Sequence, residues 1–392
     1  MRTSVYGLEK IEETSSIRMG ETSVSNPGGQ PGNIHAMVVG TSEIVAGRVK
    51  AALRATKGVD LAAEAVDGVE AVSKLRRHAI DVIFMDIGDP AVTMATALSR
   101  LRKVDEHVQV VLVATLTFAN VKNAMAGLVS GAAEFIQAPS THTPQISEKG
   151  FVSQIAELAQ GLGRARREKG ARVMPVPAAS PSSPRFEYKV ADKLRQRRHF
   201  VPQAIAIASS TGGPQALFSL FTALPRTISQ PIFLTQHMPP GFTTALADHI
   251  TRRTGWTCHE AKNGESVVDG HIYLAPGGFH MVPERKAKGV ILTTNEGPEE
   301  NYCRPSAEPM MRGLVKAYGA DNILFIVLTG MGSDGKAGAK AVADAGGTVA
   351  VQDKESSVVW GMPGAVASAG DCHAVLPLSE IPKFINQVAG GK

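Results

Sequence analysis

Residues 201–217 read VPQAIAIASSTGGPQAL. The run from Val201 to Ala208 is short and apolar, as a strand buried in a parallel sheet should be. Pro214 follows two glycines, and proline is pre-set for the first turn of a helix, where its missing N–H costs nothing. The stretch therefore predicts strand, tight turn and helix, with Ser209 and Ser210 on the turn. Main-chain N–H groups point outward at such a turn, and the helix dipole favours negative charge. A serine there either passes through an oxyanion or merely caps the helix. Only partners elsewhere in the chain can separate the two roles.

Two more junctions of the same kind follow. PIFLTQ (231–236) runs into His237-Met238-Pro239-Pro240-Gly241, and NILFIVL (322–328) runs into Thr329-Gly330-Met331-Gly332-Ser333-Asp334-Gly335. Ligand sites of open parallel sheets form at the carboxyl ends of strands. A serine, a histidine and an aspartate at three such ends are the parts of a Ser-His-Asp triad. The nucleophile-elbow pattern selects Ser210, centred in Ala208-Ser209-Ser210-Thr211-Gly212; Ser209 has Thr211 where a small residue is needed. His237 is then the general base. Main-chain N–H groups of the turn at Thr211 and Gly212, with the Gly330–Gly332 loop around Met331, would cradle an oxyanion. The third role is open between Asp334 and Asp353, since Asp353 in VAVQDKESS also follows an apolar strand. His249, His259, His271, His280 and His373 are read as structural or solvated.

The 392 residues fit two domains with connections, and 43% hydrophobic with 20% charged residues describes a soluble globular chain. No apolar run approaches the roughly 20 residues that span a bilayer, so no membrane insertion is expected. The N-terminus lacks the apolar core of a signal peptide, which points to a cytoplasmic location. A net charge of +5 gives no case for nucleic acid. Cys258, Cys303 and Cys372 are too scattered for a disulfide framework. The Cys258-His259 and Cys372-His373 pairs lack zinc-ligand spacing, so neither metal nor cofactor is expected. Residues 1–33 read as a disordered tail and 164–199 as a Pro/Ser/Ala-rich linker with basic flanks. The globular blocks are 34–163 and 200–390.

Block one alternates strands (34–40, 59–66, 80–86, 108–115, 132–138) with helical stretches, which predicts a doubly wound parallel sheet of flavodoxin type. On AVDGVEAV, IDVIFMD and GAAEFIQAPS it resembles the receiver domain of two-component signalling, with Asp86 at the phosphoacceptor position. The chemistry around that position is missing. Gly40-Thr41 stands where receivers carry the acidic pair that holds Mg²⁺, Ala114 replaces the hydroxyl residue, and Ala138 replaces the lysine. The expectation is a pseudo-receiver in which Asp86 is inactive.

Block two resembles the catalytic domain of the chemotaxis protein-glutamate methylesterase family, CheB. The resemblance rests on SSTGGPQAL, QHMPPGFT, GHIYLAPGGFHM, RPSAEPMM, LTGMGSDG and VQDKESSVVWGMPG, in that order. It implies a second, Rossmann-like α/β domain and assigns the triad to Ser210, His237 and Asp334. It also implies hydrolysis of glutamyl methyl esters on chemoreceptor cytoplasmic helices, releasing methanol, with glutamine deamidation known in some members. The implied partners are methylated chemoreceptor cytoplasmic domains and a chemotaxis histidine kinase or adaptor; the basic linker flanks could assist docking. Cys303 stands where the family commonly has histidine and Glu308 where aspartate is usual. Both are expected at the rim, clear of the triad. The alternative is a non-catalytic signalling scaffold built on the pseudo-receiver.

Overall fold

A computed structural model describes residues 32–88, 94–115, 117–139, 147–169 and 188–390. The expected tail lies outside these residues apart from its last two, as does the middle of the expected linker.

Strands β1 (Ile34–Val39), β2 (Val59–Ala65), β3 (Val82–Asp86), β4 (Gln109–Ala114) and β5 (Glu134–Gln137) are parallel, in the order β2-β1-β3-β4-β5. Helices α1 (Arg48–Ala55), α2 (Gly68–Arg77), α3 (Met94–Val104), α4 (Phe118–Val129) and α5 (Glu148–Glu168) accompany them. This is the flavodoxin order that the alternation predicts. β3 is buried along its whole length, hence its unbroken apolar run. Helix starts use local caps: Asp67 accepts from the N–H groups of Val69 and Glu70, and Ser147 accepts from that of Gly150.

α5 continues to Glu168, five residues past the boundary expected at 163. The cause is ionic. Arg166 donates to Asp81 Oδ1 at 2.9 Å and also pairs with Asp105, while Arg167 Nε donates to Asp81 Oδ2 at 3.0 Å. Residues that read as a solvated basic flank thus pin α5 to the sheet. Removing one partner of such a buried pair costs about 3–5 kcal/mol.

In the second domain β6 (Ala204–Ser209) is followed by α6 (Gly213–Ala223), β7 (Ile232–Gln236), α7 (Phe242–Thr254), β8 (Thr257–Glu260) and β9 (His271–Leu274). The hairpin β10 (His280–Lys286) and β11 (Gly289–Asn295) packs on α8 (Ala307–Tyr318). β12 (Ile323–Val327), α9 (Lys336–Ala345), β13 (Thr348–Gln352), α10 (Met362–Ala369), β14 (Ala374–Leu376) and α11 (Ile381–Ala389) complete it. Among the described residues the sheet runs β14-β13-β12-β6-β7-β9-β8, all pairs parallel. The chain proceeds from β6 to β7 on one side and returns to β12 on the other. β6 therefore lies at the switch point, where such sheets open a crevice.

The second basic flank also lies on the protein. Ala191 N–H donates to Ala367 O at 3.1 Å, and Arg195 pairs with Asp344 at 2.7 Å and Asp371 at 3.1 Å. Arg195 is thereby neutralised locally rather than left for a partner. The two domains touch through a continuous apolar cluster that runs from α3 and α4 into α6 and α7, with Phe135 stacked on Phe242 at 4.3 Å between centroids.

Candidate active site

The carboxyl ends of β12, β6 and β7 are neighbours, so the loops that follow them meet. Ser209 and Ser210 separate sharply. Ser209 ends β6 fully buried, and its Oγ donates to Gln236 Oε1 at 2.7 Å. Ser210 lies on the turn and keeps 8% of its surface exposed. Its N–H donates to Thr329 O at 3.0 Å, and its carbonyl accepts from Gln236 Nε2 at 2.9 Å. Gln236, hidden at the end of an apolar strand, thus fixes both serines and went unnoticed in the sequence. The two glycines are steric requirements. Gly212 has φ 78°, and a Cβ on Gly213 would stand 1.9 Å from Gln236 Oε1.

His237 follows β7, and its Nε2 donates to Asp334 Oδ2 at 2.8 Å. Asp334 is almost wholly buried and fully engaged: Oδ2 also accepts from Ala307 N–H at 2.6 Å, and Oδ1 accepts from Ser306 Oγ at 2.6 Å and Asn301 Nδ2 at 2.9 Å. Burial pushes the Asp334 carboxyl up, but His237, Ala307 and Ser306 outweigh it and hold it below its ordinary value. Burial likewise works against a charged His237 ring, yet the bonds to Asp334 and Cys303 raise it to about 10. Asp353 is not near this pair; it accepts from Ser356 N–H at 2.9 Å in its own turn.

One expectation needs correction. Cys303 is not clear of the triad positions: its Sγ stands 3.3 Å from His237 Nδ1. The two His237 ring nitrogens face Asp334 and Cys303, and no hydrogen bond joins Ser210 Oγ to His237 in this arrangement. Glu308, by contrast, faces away, accepting from the N–H groups of Ala337 and Gly338 at 2.9 Å each and so capping α9. Burial raises its carboxyl despite those bonds.

Residues 300–303 form a tight turn beside the pair. Glu300 and Cys303 exchange main-chain bonds of 3.2 and 3.0 Å, and the central residues Asn301 (φ 53°) and Tyr302 (φ 61°) are left-handed. Asparagine tolerates that region, whereas a non-glycine residue held there costs of order 1–3 kcal/mol.

The receiver-like domain sits on this site. Gly212 N–H, one of the oxyanion donors that the sequence predicts, donates instead to Ala133 O at 2.9 Å. The next residue, Glu134, accepts from Phe135 N–H through Oε1 at 3.0 Å and lies in the field of His237. Burial drives that carboxyl up to about 7 against the opposing pull of Phe135 N–H, Thr211 and His237. Met331 packs against the first domain, its Cε 3.0 Å from where a Cβ on Gly161 of α5 would stand. Lys354 pairs with Glu168 at 2.8 Å, and Lys169 Nζ donates to Ser357 O.

At the far edge of the first sheet, Gly40, Asp86, Ala114 and Ala138 meet at adjacent strand ends, as the motif alignment predicts. Asp86 Oδ1 accepts from Gly88 N–H at 2.9 Å. Gly40 lies so close that a Cβ there would stand 2.7 Å from Asp86 Cβ. Asp86 is the single carboxylate among Gly40, Thr41, Asp86, Ala114 and Ala138.

The family model "CheB methylesterase" matches residues 205–385, and "Response regulator receiver domain" matches residues 36–147. The protein-glutamate methylesterase/protein-glutamine glutaminase of Azospirillum brasilense is 41% identical over 371 residues, covering 92% of this chain and 94% of the relative. Its counterpart from Paramagnetospirillum magneticum is 41% identical, covering 93% of this chain and 99% of the relative. Among solved structures, the Thermotoga maritima CheB methylesterase catalytic domain is 37% identical with a TM-score of 0.46, covering 48% of this chain and 99% of its own. Two α/β domains in this order, with relatives alike over nearly their full length, place the chain: it belongs to the CheB protein-glutamate methylesterase family.

Proposed function

We propose that the chain hydrolyses glutamyl methyl esters on the cytoplasmic helices of chemoreceptors, with Ser210 as nucleophile, His237 as base and Asp334 as the residue that orients it. The observation that carries this reading is the 2.8 Å His237–Asp334 bond beside the turn that bears Ser210. His237 takes the Ser210 proton as Oγ adds to the ester carbonyl. The tetrahedral oxyanion is met by main-chain N–H groups of the Thr211–Gly212 turn. Its collapse breaks the C–O bond, and the His237 proton goes to the leaving oxygen, so methanol departs and an acyl-Ser210 remains. Water, deprotonated by His237, then releases the glutamate and restores Ser210. A glutamine side chain would follow the same steps with ammonia leaving, which corresponds to the second activity in the relatives' names.

The arrangement described is the covered one. For turnover Ala133 must release Gly212 N–H, and His237 must exchange Cys303 for Ser210. The edge around Asp86 supports a receiver that is not switched by phosphorylation, with protein binding as the means of uncovering. Mapping the residue modified by a serine-directed fluorophosphonate tests the reading. An adduct on Ser210 that is lost in His237→Ala supports it; no adduct under any condition favours the scaffold alternative.

A further inference from the structure

The turn at residues 300–303 touches both members of the His237–Asp334 pair and holds an aromatic residue in solvent between those contacts. Asn301 donates to Asp334, Cys303 stands against His237, and Tyr302 between them is 96% exposed. The turn is anchored everywhere except at this tip. Arg312 Nη1 donates to Glu300 Oε2 at 2.8 Å, and Arg304 Nη1 donates to Glu296 O at 3.1 Å and Gly297 O at 2.9 Å. Tyr302 pays for a left-handed backbone that glycine would adopt freely, and its ring gains no burial in return. A second exposed aromatic, Phe279 at 36%, lies on the adjoining loop, which is tied to the turn by Gly278 N–H donating to Arg304 O at 3.1 Å.

We propose that Tyr302, with Phe279 on the adjoining loop, is a specificity-determining contact for the protein substrate, packing on the apolar side of the helix that carries the ester. This rests on the hydrolytic reading of Ser210, His237 and Asp334. The three bonds from a glutamyl Cα to its ester carbon span only about 4 Å. The substrate main chain must therefore come close to His237, and the residues flanking the ester meet whatever stands on the adjoining rim. Rigid aromatic side chains are the usual anchors of such contacts because they cover large area with few torsions to freeze.

The test compares kcat and KM of the full chain on a methylated receptor fragment and on a small ester, N-acetylglutamate γ-methyl ester. Tyr302→Gly is the informative variant, because it removes the ring while relaxing the turn. It is expected to lower kcat/KM on the protein about tenfold or more, mainly through KM, as loss of an interface anchor does. The loss on the small ester should be at least several times smaller, the melting temperature should not fall, and Tyr302→Phe should retain most of the activity. Equal losses on both substrates would show that the turn acts on the His237–Asp334 pair instead, and an unchanged protein kcat/KM would show no substrate contact; either overturns the proposal. Failure of the unaltered chain to hydrolyse either ester, together with no fluorophosphonate adduct on Ser210, would instead overturn the hydrolytic reading beneath it.

Discussion

Replacing Asp334 by asparagine keeps the side chain's shape and removes its ability to accept on both atoms. The carboxylate receives four donors: Ser306 Oγ, Asn301 Nδ2, Ala307 N–H and His237 Nε2. An amide can satisfy only the donors on its oxygen side. If the new NH₂ faces Ala307, that fixed N–H loses its acceptor and His237 Nε2 must accept, which moves the ring proton to Nδ1. If it faces Asn301, that amide is unpaired, although the Ser306 hydroxyl can turn. One buried donor left unsatisfied costs about 1–3 kcal/mol, and each kcal/mol lowers Tm by about 2–4 °C in a domain of this size. The wrong tautomer should cost more, roughly 10³–10⁴-fold in kcat, equivalent to about 4–5.5 kcal/mol. Methanol release measured beside thermal melts separates the two effects. The reasoning is refuted if Asp334→Asn stays within about tenfold of the unaltered chain, or if Asp353→Asn is the more damaging change.

Other consequences follow from the covered site. The Glu134 carboxyl is raised from 4.5 to about 7, so it favours the docked domains when protonated, and this contribution is lost as pH rises through about 7. Glu134→Gln removes that titration. Basal methanol release at pH 8 should therefore fall below that of the unaltered chain, with the difference closing near pH 5; higher activity in the variant would contradict the sign. A small phosphodonor with Mg²⁺ should neither add mass to Asp86 nor change methanol release, and Asp86→Asn should behave the same. A donor-dependent mass shift lost in Asp86→Asn, with faster hydrolysis, would establish a working receiver.

The alternation of apolar strands and amphipathic stretches made both sheets legible, because parallel strands buried on two faces read as unbroken apolar runs. The three strand-end motifs gave the site for the same reason: carboxyl ends of neighbouring strands converge whatever lies between them in sequence. Contacts between distant segments were not legible. Nothing local in GAAEFIQAPS says that Ala133 O will take the N–H of Gly212, or that Glu134 will lie in the field of His237. Gln236 passed as one polar residue closing an apolar strand, though it holds both serines. Arg166 and Arg167 read as solvated linker because their acidic partners, Asp81 and Asp105, lie some sixty to eighty-six residues away. Cys303 read as a rim substitution because its closeness to His237 depends on how the 300–303 turn is anchored.

The most direct measurement of the central claim is methanol release from methylated receptor by Ser210→Ala and Ser209→Ala, side by side with the unaltered chain. Ser210→Ala is expected to lower kcat by roughly 10⁴-fold or more, as loss of a triad nucleophile does. Ser209→Ala loses only a buried bond to Gln236 and is expected to keep most activity. Equal losses in the two variants, or a loss confined to Ser209→Ala, would contradict the assignment of Ser210 as the nucleophile.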